Sequence, residues 1–272
     1  MKKTAILFLS ICTTAVFYVS CSGGDDTVTD NTDVTSIGAA ATIDAANEMD
    51  VNTALSVIST NSPTAKQFET SPGICAAVTV AGTTYPKVYT VDYGTGCSDN
   101  QITRKGKLKI TLSGPITTTG SKLTIERIDY SVNALKLEGT IEYTNNTTVA
   151  AIPQWIRKVT NGKITDGVGN FYTNSGTHTV KQTAGVDTPF VLTDNVYEMT
   201  EGTHTITSDK GESLTLTVQE TLVKKYSCVY ISKGKLKVQG SVLNGVIDYG
   251  NNTCDNNYTY THENGFIFNL AI

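Results

Sequence analysis

Histidine is scarce in this chain: His178, His204 and His262 are the whole complement. None stands in a His-Glu-x-x-His arrangement, and no Gly-x-Ser-x-Gly elbow or Walker loop occurs. The sequence signals of zinc proteases, α/β-hydrolases and P-loop enzymes are therefore missing. Tryptophan occurs once, at Trp155, which leaves little for an extended aromatic platform. Charged residues are only 17 % of the chain and acidic ones prevail, giving a net charge of −4. A nucleic-acid partner, which needs a basic face, is not expected. Cysteines number six, with no pair as close as Cys-x-x-Cys, so neither a zinc knuckle nor a thioredoxin-type redox centre is indicated.

Long apolar runs are also rare. One spans Thr4 to Val19, behind Met1-Lys2-Lys3 and ahead of Ser20-Cys21. A basic head and a short apolar stretch ending at a small residue describe a secretory signal peptide over residues 1–20. The run falls short of the roughly 20 apolar residues a membrane-spanning helix requires. Removing Lys2 and Lys3 with it changes 21 basic against 25 acidic residues to 19 against 25, a net charge of −6.

Val19-Ser20-Cys21 resembles a bacterial lipobox, which implies acylation of Cys21. Several acyl chains on one residue would anchor the protein stably to a membrane. Residues 21–36 carry Gly, Ser, Thr, Asp and Asn with few apolar residues, the composition of a flexible acidic tether. Acidic residues just after the acylated Cys resemble a Bacteroidota surface-export signal, so an outer-membrane location facing the cell exterior is expected. Asp26-Thr27-Val28 resembles the short O-glycosylation motif of the same phylum.

Residues 37–272 read as a single domain. Ala40, Ile43, Ala46, Met49, Ala54, Leu55 and Ile58 recur at helical spacing, with Asp44, Asn47 and Glu48 between them. This predicts an amphipathic helix over 39–60, interrupted near Val51-Asn52 and closed by Ser62-Pro63. Beyond Ser71 the pattern has period two. Leu108, Ile110 and Leu112 alternate with Lys107, Lys109 and Thr111; Leu135, Leu137, Ile141 and Tyr143 and then Leu214, Leu216 and Val218 do the same. One apolar and one polar face per strand means antiparallel sheet. The expectation is all-β: a large antiparallel meander of about 12–14 strands, more than an open twisted sheet usually holds, forming a β-sandwich or a partly open barrel. The N-terminal helix would pack on an edge or an end.

The chain echoes itself. Lys105-Gly-Lys-Leu-Lys-Ile110 returns as Lys233-Gly-Lys-Leu-Lys-Val238, and Gly176-Thr-His-Thr-Val180 as Gly202-Thr-His-Thr-Ile206. The period is too irregular for a solenoid. Among the cysteines, Asp92-Tyr93-Gly94 precedes Cys97 as Asp248-Tyr249-Gly250 precedes Cys254, and Cys75 and Cys228 lie a hairpin's length upstream. This duplicated setting selects the disulfides Cys75–Cys97 and Cys228–Cys254 among the three pairings four cysteines allow. A metal role for them is not expected.

Asp92-Tyr93-Gly94-Thr95-Gly96-Cys97, followed by Arg104-Lys105-Gly106-Lys107-Leu108-Lys109-Ile110, resembles uncharacterised surface lipoproteins of the Bacteroidota. The later Cys228 and Asp248-Tyr249-Gly250…Cys254 are similar to a C-terminal Cys pair in that family. The resemblance extends loosely over residues 40–272. It implies envelope location and disulfides, and it brings no activity.

Site candidates are few. His178 and His204 read as exposed strand residues on the polar face. Glu126, Asp129, Glu138, Glu142, Glu198 and Glu201 are the carboxylates from which a glycosidase-like pair could be assembled, though a solvated sheet face accounts for each. Asp92, Asp99, Asp248 and Asp255 could suit Ca²⁺, and Asx turns explain them equally well. Trp155 reads as core or a loop contact, while Tyr85, Tyr89 and Tyr93 share one face as a binding stripe or a core layer. The expected role is a surface-displayed binding or structural lipoprotein without a cofactor, engaging a polysaccharide or an envelope protein and touching the membrane through its anchor. The alternative is a glycan- or peptide-processing enzyme with a dispersed carboxylate site.

Overall fold

The computed structural model describes residues 33–60, 75–99, 102–188 and 191–272. The leader, Cys21 and most of the tether lie outside them. A helix, α1 (Thr35–Thr60), opens the described chain. The strands follow: β1 (Ala77–Ala81), β2 (Lys87–Asp92), β3 (Cys97–Asp99), β4 (Ile102–Leu112), β5 (Lys122–Val132), β6 (Leu135–Asn145) and β7 (Gln154–Thr165). After them come β8 (Phe171–Ala184), β9 (Val196–Ser208), β10 (Ser213–Lys225), β11 (Lys233–Gly240), β12 (Gly245–Asn251), β13 (Asn257–His262) and β14 (Ile267–Ala271).

All 14 strands belong to one antiparallel sheet in near-sequential order, with only β3 set aside against β4. The expected meander is thus present as a single sheet whose edge strands, β1 and β14, are not paired with each other, so it is not closed into a barrel. Strand lengths follow the alternation read from sequence: Leu108, Ile110, Leu112, Leu137, Ile141, Leu214 and Leu216 all point inward and are buried.

The register stacks these residues into rows across the sheet. Tyr89, Ile110, Ile125, Ile141, Val159, Gly176, His204, Leu216 and Val238 are successive cross-strand partners from β2 to β11. The next row holds Leu112, Leu123, Tyr143, Arg157 and His178. Beyond it, at the end where β4–β5, β6–β7 and β8–β9 connect, stand Asn145, Trp155, Val180 and Met199.

The helix corrects two expectations. It is continuous through Val51-Asn52, and it is enclosed by the sheet instead of lying on an edge. Asp44, Asn47, Glu48 and Asp50 are buried alongside Ile37, Ala40, Ala54 and Val57. Two physical features permit this. Small residues surround the helix (Gly38 to Ala41, Ala45, Ala46, Ala54), so strands approach it from several sides. Its polar side chains also find partners on the sheet, as buried polar groups must. Asp50 accepts from Arg127 Nε at 2.8 Å and Tyr130 OH at 2.7 Å, and Asn47 Oδ1 accepts from Arg127 Nη2 at 2.9 Å. Glu48 accepts from Arg157 Nη1 at 2.9 Å, and Thr53 from Arg104 Nη1 at 2.8 Å. Asp44 faces Tyr249 OH at 3.5 Å. The helix is therefore joined by polar spokes to β4, β5, β7 and β12.

Both expected disulfides are present, closing segments of 22 and 26 residues. Their duplicated settings fold alike. Asp92 and Asp248 each accept the backbone N–H two residues on, at 2.8 Å, and each pairs with the matching Lys107 or Lys235. Tyr93 and Tyr249 are buried, one beside Thr53's partner Arg104 and the other beside Asp44. The echoed corners thus grip the helix at two places along its length.

Candidate functional site

A cavity of about 830 Å³ opens at the end of the sheet where the β4–β5, β6–β7 and β8–β9 connections gather. Its wall on one side is a face of α1: Glu48, Val51, Asn52, Leu55, Ile58 and Ser59, spaced by three and four residues. On the other side stand the outermost two inward rows of the sheet, with Leu123, Tyr143, Trp155, Val180 and Met199. The local cause is plain from the register. The last inward side chains of β4 to β9 stand opposite this face of α1 and enclose the space with it.

The deep lining is apolar and aromatic. At its floor Glu48 is tied to Arg157, whose Nη1 also meets Met199 Sδ at 3.6 Å. Burial pushes the phenols of Tyr143 and Tyr197 upward, reinforced by Glu48, so both are neutral hydroxyls at ordinary pH. The lining also holds amides and hydroxyls whose donors are largely occupied. Asn145 Nδ2 donates to Ile116 O, Thr119 Oγ1 to Thr147 O, Gln182 Nε2 to Asn195 Oδ1, and Asn195 Nδ2 to Tyr197 OH. The connections also expose apolar side chains, with Val149 at 55 % and Ile152 at 50 % exposure in β6–β7.

The structure divides the aromatic candidates. Trp155, at 9 % exposure, and the exposed Tyr85 line the cavity; Tyr89 and Tyr93 are core and do not. The carboxylates are dispersed: Glu126, Glu138 and Glu142 form ion pairs with Lys109, Lys136 and Lys122 on the solvated side of the sheet. Asp92, Asp248 and Asp255 form Asx turns, and among the described residues no group of three or more metal-ligating side chains assembles.

The histidines are the clearest correction. His178 and His204 are not exposed but 4 % accessible, with rings 5.4 Å apart inside the sheet. The echoed Gly-Thr-His-Thr segments pair reciprocally, Gly176 opposite His204 and Gly202 opposite His178. Each imidazole lies over the other strand's glycine. A Cβ on Gly176 would sit 2.3 Å from His204 Cβ. Burial, with Arg157 and the other imidazole nearby, pulls His178 down to about 2; burial also lowers His204, against the pull of Asp44 at 3.7 Å. Both are neutral. Lys224, another buried group, is drawn down to about 8 by burial while donating to the carbonyls of Lys225 and Cys228.

Glu48, Arg157 and Met199 were missed by sequence reasoning, because their roles depend on registers spanning more than a hundred residues. The chain matches no protein-family model, no curated protein and no solved structure.

Proposed function

We propose that this chain is an exported envelope protein, anchored through acylated Cys21, whose folded body binds a small apolar molecule between α1 and the mouth of the sheet. The observation that carries the reading is the apolar cavity itself. Its volume, about 830 Å³, lies within the range of small-molecule sites, and it is predominantly hydrophobic with few polar groups, as such sites are. A polysaccharide would need aromatic rings presented along an open face. Tyr89, Tyr93 and Trp155 are turned inward here, which favours a small ligand over a polymer. Surface display at the outer membrane follows from the acidic segment behind Cys21 and belongs to the same proposal.

The test is titration of the purified chain with N-phenyl-1-naphthylamine, a dye that brightens in apolar sites. Saturable binding of one dye per chain is expected, with an Ile58→Trp substitution on the cavity face of α1 weakening it at least tenfold. Absence of saturation, or equal binding by the variant, overturns the cavity as the site. Mass spectrometry of the native N-terminus tests the anchor separately: an unmodified residue at Ser22 or beyond removes it.

A further inference from the structure

We infer that the ligand is a neutral amphiphile, an apolar chain with an uncharged hydroxyl- or ester-bearing head, and that ionic amphiphiles are rejected. This rests on the cavity being the binding site. The lining combines exposed, polar and apolar side chains. The exposed Tyr85 is among the lining residues, and the β6–β7 connection that lines the cavity through Ala150 and Pro153 also exposes Val149 and Ile152. Neutral polar side chains join it: exposed Thr117 and Thr119, half-buried Gln182 and buried Asn145. The interior holds Leu55, Leu123, Trp155, Val180 and Met199.

Among the described residues lining this space, Glu48 is the only acidic or basic one. It is already engaged by Arg157 at 2.9 Å. A ligand carboxylate entering the interior would face Glu48 with no cation free to receive it. A ligand ammonium would have to compete with the guanidinium for one buried carboxylate. An unpaired charge in a low-dielectric site is strongly disfavoured, whereas a hydroxyl or ester at the amides and hydroxyls of the lining can exchange hydrogen bonds with them.

Trp155 is the only tryptophan in the chain, so its emission reports this cavity alone. The experiment compares three probes with the same ten-carbon chain: monodecanoylglycerol, decanoate and decyltrimethylammonium, each kept below its micellar concentration. The expected result is a saturable change in Trp155 emission with monodecanoylglycerol at a concentration at least tenfold lower than with either ion. A Ser59→Lys variant, which places a cation on the half-buried cavity face of α1, should gain about tenfold for decanoate. Equal affinities for all three probes, or no gain for decanoate in the variant, overturns the neutral-head inference while leaving an apolar site in place. No saturable response to any probe overturns the cavity reading itself.

Discussion

Glycine places the two buried imidazoles. Gly176 and Gly202 stand opposite His204 and His178, leaving room for them, and Thr177 and Thr203 pair between them. A Gly176→Ala substitution forces its methyl against His204 Cβ and Thr203 O. Overpacking of this kind costs about 1–3 kcal/mol, to be read from the denaturation midpoint. The imidazoles also give acid sensitivity with a definite sign. In the unfolded chain each takes up a proton near pH 6.5. In the folded chain His178 does so only near 2, held down by burial beside Arg157 and His204, with Asp44 facing His204. Between those values the unfolded state binds more protons, so stability falls as pH is lowered from 6.5 and is unaffected by these groups above it. Two pH units below the unfolded value, His178 contributes a loss of roughly 2–3 kcal/mol. Urea midpoints should drop between pH 7.5 and 4.5, and a His178→Asn variant should drop less. An equal drop in the variant would assign the acid sensitivity elsewhere. In the sequence these histidines stood among Thr and Gly and looked solvated. Period two identified which residues share a face but could not tell that the inward face is polar here.

At the scale of elements, α1 sits inside the sheet through polar spokes as much as through apolar contact. Asp50 joins Arg127 and Tyr130, all three nearly inaccessible to water. Asp50→Asn keeps the shape and leaves a buried guanidinium without its counter-charge, a loss of about 3–5 kcal/mol. Glu126→Gln breaks the exposed pair with Lys109 and should cost below about 1 kcal/mol. Chemical denaturation of the two variants gives the contrast; equal effects would mean that the helix is not held by these spokes. The existence of this helix was legible in its Ala and Ile spacing; its expected closure at Ser62-Pro63 lies outside the described residues. Its enclosure was not legible. Asp44, Asn47, Glu48 and Asp50 resemble a solvent face until Arg127, Arg157 and Tyr249, far along the chain, are brought onto them. The long central strands were legible because each buries one side against a common interior, whereas β1 and β14 bury little.

For the whole molecule, the sheet closes on the helix while its edges stay apart, and the two disulfides secure regions near those edges. Replacing Cys228 and Cys254 together with Ser frees a segment of 26 residues. Loop entropy puts the loss at about 3 kcal/mol, which for a chain of this size lowers the melting temperature by roughly 6–12 °C. Calorimetry checks it, and an unchanged transition would mean that the local sheet pairing alone sets stability there. The duplicated Asp-Tyr-Gly setting made these pairings readable. The cavity was not readable, since it arises between α1 and the ends of β4 to β9 and no residue marks that juxtaposition.

That cavity carries the functional account, and Trp155 allows it to be probed at contact range. Bromine quenches indole emission only when the two are close, so a neutral glyceride bearing a dibrominated acyl chain reports whether the chain occupies this space. The account predicts saturable quenching of Trp155 at one glyceride per chain, with no quenching by the unbrominated compound. Calorimetric binding of the brominated glyceride without loss of Trp155 emission would place the ligand elsewhere and contradict it.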